Sequence, residues 1–135
     1  MRAGFTVVEV MIVVCVVALL AVIAVPNLVR GRHDAAEAAA QESLRQLMTA
    51  MVQYRTSEPQ HVYPGDLANL GPSAAGGIGY INEVLAGGTY QGYMFVLAAT
   101  PDAFTIRAFP MRPGVTGTRM FAITDTGEVS EIGGP

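Results

Sequence analysis

The chain is expected to adopt an α+β fold, with one long amino-terminal helix packed on a small antiparallel sheet. Three observations carry that expectation. A near-continuous apolar run extends from Phe5 to Val25. An amphipathic stretch with helical spacing follows it to about Arg55. Beyond a loop-rich middle, β-prone segments flank short turn sequences from Tyr93 to Ile132.

The apolar run comes first. It spans 21 residues, and Glu9 is its only charged side chain. At about 1.5 Å per residue a helix of this length reaches about 30 Å, the thickness of a bilayer's hydrocarbon core. A carboxylate inside such a segment costs on the order of a few kcal/mol unless it finds a partner. The run is too long for a cleaved secretory signal, whose apolar region covers about 7–15 residues. Its small residues at Ala18, Ala21 and Ala24 lie within the run, not after it. A buried core helix is disfavoured too, because a remainder of about 100 residues is too small to wrap a helix apolar on every face. Residues 5–25 therefore read as a membrane-spanning helix, and a plain anchor gives no reason for Glu9.

Residues 26–57 continue the helix in a different style. Leu44, Leu47, Met48, Met51 and Val52 fall at i, i+3, i+4, i+7 and i+8, one stripe of a 3.6-residue period. Glu37, Gln41, Glu42, Arg45 and Gln46 occupy much of the remaining surface. Alanines at 35, 36 and 38–40 favour helix intrinsically. The stripe is expected to pack on a sheet of its own subunit, with methionines filling gaps. Pro26 removes a backbone donor and crowds the preceding turn. It predicts either a kink or a locally melted stretch where the helix leaves the apolar layer.

Residues 58–135 form the globular region. Ser57-Glu58-Pro59 ends the helix, and Tyr63-Pro64-Gly65 is a turn. Asp66 is placed to cap a short helix over Leu67–Leu70. Gly71-Pro72 through Gly79 reads as a flexible connector, and Tyr80 to Ala86 as a further helical turn closed by Gly87-Gly88. Strands are expected at Tyr93–Ala98 and Phe104–Phe109, around the hairpin loop Thr100-Pro101-Asp102. A second pair, Met120–Thr124 and Glu128–Ile132, flanks Asp125-Thr126-Gly127, where glycine suits a positive φ. Phe104, Ile106 and Ala108 alternate with Thr105 and Arg107, so one face of that strand should be buried.

Composition narrows the function classes. A net charge of −3 and the lack of a basic stripe interleaved with aromatics argue against nucleic-acid binding. There is no HExxH, CxxC or glycine-rich phosphate loop, and His33 and His61 stand apart, at the membrane interface and in a loop respectively. Neither an enzyme nor a cofactor is expected. Cys15 is the single cysteine and lies in the apolar run, where it reads as a small apolar residue.

Gly4-Phe5-Thr6-Val7-Val8-Glu9, the long aliphatic stretch and Pro26-Asn27-Leu28 together resemble the processing and methylation motif of type IV pilins and type II secretion pseudopilins. The resemblance implies a leader over residues 1–4, cleavage after Gly4 by a prepilin peptidase, and N-methylation of Phe5. Glu9 and Pro26 would then be residues 5 and 22 of the mature chain. It further implies assembly into a filament with other copies and minor pilin-like subunits, through an inner-membrane platform, with the carboxy-terminal domain in the periplasm. Glu9 would neutralise the α-amine of a neighbouring subunit and so fix register; a lone acid snorkelling to the bilayer surface is the alternative. Pro26 would mark a segment that unwinds on packing. Gly-Tyr-x-Phe at 92–95 and Phe-x-Ile-x-Asp-x-Gly-x-Val at 121–129 are similar to the globular half of major pseudopilins, a looser likeness over roughly residues 63–132. Some of those proteins bind calcium in a carboxy-terminal loop, which makes Asp125 and Glu128 weak candidate ligands, although calcium wants six to eight oxygens. With one cysteine, the disulfide loop of many pilins is absent, which favours a secretion pseudopilin over an adhesive pilus subunit. A monomeric, membrane-anchored binding module with exposed loops between Tyr63 and Tyr93 is the rival reading.

Charge around the span needs a separate account. Only Arg2 precedes it, whereas Arg30 and Arg32 follow, so basic flanks alone favour the opposite orientation. Either Asp34 and Glu37 offset the arginines locally, or the natural start lies upstream of Met1.

Overall fold

The apolar run and the alanine-rich stretch after it form one helix, α1, Val7–Ser57, in a computed structural model that describes residues 4–72 and 79–134. The chain divides into two units, Met1–Arg32 and His33–Pro135, and α1 contributes to both. In the first unit every described residue is exposed. One helix is long and apolar enough to cross a membrane, by length and composition.

Pro26 lies inside α1, and the helix is unbroken there. The melted stretch that proline predicts is therefore not present in this chain. A single proline forfeits one backbone hydrogen bond, and neighbouring turns carry the helix past it. Next to it, Asn27 Nδ2 donates to the Ile23 carbonyl at 3.2 Å, adding a side-chain bond to the same stretch.

The second unit is built on a meander. Strands β1 (Thr89–Tyr90), β2 (Tyr93–Ala99), β3 (Phe104–Pro110), β4 (Met120–Thr124) and β5 (Val129–Gly133) lie side by side in chain order, all antiparallel. Register follows from the turns. At the β2–β3 hairpin Thr100 N–H donates to the Ala103 carbonyl at 2.8 Å, and Thr100 Oγ1 accepts from Ala103 N–H at 3.1 Å. At the β4–β5 hairpin Gly127 takes φ +85° and its N–H donates to the Thr124 carbonyl. The backbone angle calls for glycine there, whereas the nearest contact of a β-carbon, 2.9 Å to Met48 Cε of α1, is with the movable end of a flexible side chain. Between Met120 and Phe121 the β4–β5 register shifts by a bulge.

One face of this sheet receives α1. Ala40, Leu44, Leu47, Ala50 and Met51 share a core with Tyr93, Phe95, Phe104, Ile106, Ala108, Phe121 and Ile123. Each fully buried Leu or Met contributes roughly 1.5–3 kcal/mol relative to exposure. The expected alternation along β3 holds, with Phe104, Ile106 and Ala108 buried and Arg107 exposed. Two short elements close the rim. A 3₁₀ turn over Leu67–Leu70 is capped by Asp66, whose Oδ1 accepts Ala68 N–H. Helix α2, Glu83–Ala86, is capped by Asn82, whose Oδ1 accepts Leu85 N–H at 2.8 Å. The helical turn expected over 80–86 is thus confined to its last four residues, because the Asn82 cap starts the helix there. Most of the expected connector between Gly71 and Gly79 falls outside the described residues.

Two residues of α1 sit differently from their expected faces. Val52 is 43% exposed, at the edge of a stripe whose contact with the core Met51 and Tyr54 continue. Glu37, grouped by sequence with the polar surface, is only 3% exposed. Its Oε1 accepts from Thr118 N–H at 2.9 Å, Thr118 Oγ1 at 3.2 Å and Arg119 N–H at 3.3 Å. Its Oε2 faces the Arg119 guanidinium, with Nε and Nη2 each at 2.6 Å. The loop between β3 and β4 is thereby tied to α1. Burial pushes the Glu37 carboxyl pKa up, and the donors of Thr118 and Arg119 outweigh that, leaving it below the ordinary carboxylate value. Tyr93 lies alongside, its hydroxyl donating to the Arg119 carbonyl at 3.0 Å. Burial and then the Glu37 charge push the phenol up to about 12.

Glu37→Ala should lower stability by about 2–3 kcal/mol, less than for a fully buried pair because Arg119 is half-exposed. Denaturant unfolding of the detergent-solubilised chain measures it. Since the folded pKa of Glu37 lies below the unfolded value of about 4.3, its contribution is complete above that value. It is lost as pH falls through the lower folded pKa, and Glu37→Gln should flatten that acid limb. For Tyr93 the sign reverses: stabilisation is present below the unfolded phenol pKa of about 10. It disappears as pH rises toward about 12. Gly117 packs so closely on the Tyr93 ring that a β-carbon would come within 2.9 Å of Cζ. Gly117→Ala should therefore cost about 1–3 kcal/mol through overpacking, read in the same unfolding experiment.

Candidate functional site

The residues singled out at the amino terminus lie together in the first unit. Gly4, Phe5 and Thr6 precede the helix in non-helical backbone. Phe5 is 82% exposed, and a β-carbon at Gly4 would meet nothing within 4 Å. The Gly4–Phe5 bond thus lies in exposed, non-helical backbone. Thr6 then starts α1, its Oγ1 accepting Glu9 N–H at 3.2 Å. Thr6 and Glu9 stand three apart, the spacing of a helix-capping pair, and a first-turn acid also complements the helix dipole. Sequence reasoning missed this cap by Thr6, although a threonine just before the apolar run was its signal.

From Val7 to Val29 the helix offers an aliphatic surface on all sides, with Val8, Ile12, Leu19 and Ile23 each more than half exposed. Nothing in the described chain covers it. Such a surface is stable in lipid or against other apolar helices and not in water. Cys15 is a free thiol on it.

In the second unit the remaining candidates are scattered. Asp125 and Glu128 are exposed in the β4–β5 hairpin, where the hydroxyls of Thr124 and Thr126 bond to each other. Among the described residues no group of three or more His, Cys, Asp or Glu side chains is arranged to hold a metal ion. His61 is a loop residue with φ +51°, and its ring Nδ1 lies 3.1 Å from the Arg55 carbonyl. Arg55 Nε returns a bond to the His61 carbonyl at 2.8 Å, closing the end of α1. Its guanidinium also lies over the Tyr63 ring. His33 keeps its ring Nε2 buried without a hydrogen-bond partner. A cleft of about 460 Å³ lies between α1 and Tyr80–Asn82. Its two charged groups, Glu42 and Arg45, are ion-paired at 3.6 Å.

Glu37 is the other functional group missed from sequence. Its signal was the seven-residue spacing Glu37, Leu44, Met51, beside Ala40 and Leu47, which puts all five on one helix face. Comparison of the chain with protein-family models, with curated proteins and with solved structures finds no match, so its function is argued from the exposed helix and the residues at its start.

Proposed function

We propose that this protein is a structural subunit of a type IV pilus-like filament or type II secretion pseudopilus. The supporting observation is the exposed Gly4–Phe5 junction, followed at once by a helix that is apolar from Val7 to Val25 except for Glu9 in its first turn. In this reading the chain enters the bacterial inner membrane as a precursor, a prepilin peptidase cuts after Gly4, and the new amine of Phe5 is methylated. The globular unit then faces the periplasm. An assembly platform extracts the subunit and stacks its helix against other copies. Once the helix has left the bilayer, burial of its apolar surface against neighbouring helices holds the stack, with the ion pair fixing its position. Pairing Glu9 with a neighbour's amine neutralises both charges, and removal of one strands the other. Only one axial offset satisfies the pair, which sets register.

The T-x-x-E spacing suggests a competing, capping role for the Glu9 side chain, and chemistry separates the two. Glutamine preserves a capping pair but carries no charge. Expressed beside a prepilin peptidase, the chain should lose Met1–Gly4 and gain one methyl group on Phe5, read by intact mass and amino-terminal sequencing. Glu9→Ala and Glu9→Gln should both be cleaved and stable yet absent from sheared filaments. Normal filaments from Glu9→Gln would assign the residue to capping instead. A full-length amino terminus would leave either a natural start upstream of Met1 or a membrane-anchored monomeric binding module, and repeating the test with a longer, more basic leader separates them.

A further inference from the structure

The arginines that follow the span have no acidic partner where one was expected. Glu37 is committed to Arg119, and Asp34 adds to the field that keeps Arg119 protonated. Among the described residues no ion pair engages Arg30 or Arg32, and both are exposed. Two guanidinium groups therefore stand uncompensated on the helix just beyond its apolar surface.

Their height along the helix is informative. With Val25 at the edge of the hydrocarbon, Arg30 lies about 7.5 Å and Arg32 about 10.5 Å farther along the axis. The headgroup layer of one leaflet occupies about 5–7 Å beyond the hydrocarbon. Both backbone positions thus lie just past that layer, and each arginine reaches the lipid phosphates by folding its stem back along the helix, Arg32 over the longer distance. Two residues apart on a 3.6-residue turn, the side chains leave opposite sides of the helix. They address two different headgroups instead of forming one pocket. Guanidinium binds a phosphate oxygen pair through two parallel N–H bonds, which ammonium does not match.

We infer that Arg30 and Arg32 form an anionic-phospholipid contact, each binding the phosphate of a separate headgroup, so that the membrane-embedded subunit selects lipids of net negative charge. The inference rests on the membrane reading of α1. It gives the two arginines a partner that the protein itself does not supply. It also adds a set of bonds that must break when the subunit leaves the bilayer for a filament.

The test uses the full-length chain reconstituted into phosphatidylcholine vesicles containing a minority of phosphatidylglycerol. Flotation reports insertion. Spin-labelled phosphatidylglycerol and phosphatidylcholine, compared by the motionally restricted fraction of each, report selectivity. Phosphatidylglycerol should be preferred by about three- to tenfold. Arg30→Gln and Arg32→Gln should each remove part of that preference and the double variant all of it, with flotation unchanged. Added inorganic phosphate at matched ionic strength should leave the preference intact; displacement by phosphate would mean a free-anion site and overturn the lipid assignment. Insertion without selectivity, or selectivity surviving in the double variant, overturns the inference alone. Failure to float with either lipid overturns the membrane reading and the inference with it. Loss of self-association in pure phosphatidylcholine caused by the double variant would reassign the arginines to a second copy.

Discussion

Glu37 carries a full charge into the interior of the His33–Pro135 unit, and the donors of Thr118 and Arg119 are gathered there to receive it. The sequence separation is 81 and 82 residues, so this carboxylate joins the start of the globular half of α1 to the loop that connects β3 with β4. Much else is arranged around it. Arg119 spans Glu37 and Glu131 of β5, at 3.6 Å from the latter, which connects the helix to the far edge of the sheet. Tyr93 bonds the carbonyl of the same arginine and packs against Phe121. Gly117 is glycine because the ring of Tyr93 occupies the space its side chain would need. A charge placed in the interior is tolerable only when every donor is in position, so the constraint extends outward to residues that never touch Glu37.

The first unit obeys the opposite constraint. Its side chains need no precise partners, only an apolar surrounding, and the valine- and leucine-rich surface from Val7 to Val29 is interchangeable in that respect. What distinguishes one axial position from another is confined to its ends: the capped first turn at Thr6–Glu9 and the arginines past Leu28. A helix of uniform grease with polar marks at both ends can slide or be withdrawn along its axis until the marks are satisfied.

Elements with strong local chemistry were legible in the sequence. The Asp66 cap, the Thr100–Asp102 and Asp125–Gly127 hairpins and the Met120–Thr124 strand are where turn residues and alternation placed them, because those signals act over a few residues. Strand β1, Thr89–Tyr90, was missed: two residues carry no period, and they become a strand only by pairing with Tyr93 and Met94. Glu37 was misplaced because charge was weighed above position, and its partners lie too far along the chain for a local pattern to show them. Val52 reads as buried because periodicity gives a direction around the helix and not the width of the stripe that the core covers. At the amino terminus the residues of the candidate site were legible as types and spacings, while the use of Thr6 Oγ1 by Glu9 N–H required coordinates.

The order of strands in the sheet has a kinetic side. Every strand pairs with its immediate neighbour in the chain, so the meander closes by short loops and needs no long search. The helix is made first and the sheet last, and translation delivers Leu44 and Met51 well before Phe104 or Ile123 exists to cover them. During that interval the greasy stripe is bare, and it stays so until the hairpins zip up and swing onto it. Glu37 itself stays without its donors until Thr118 and Arg119 have been made, 81 and 82 residues later.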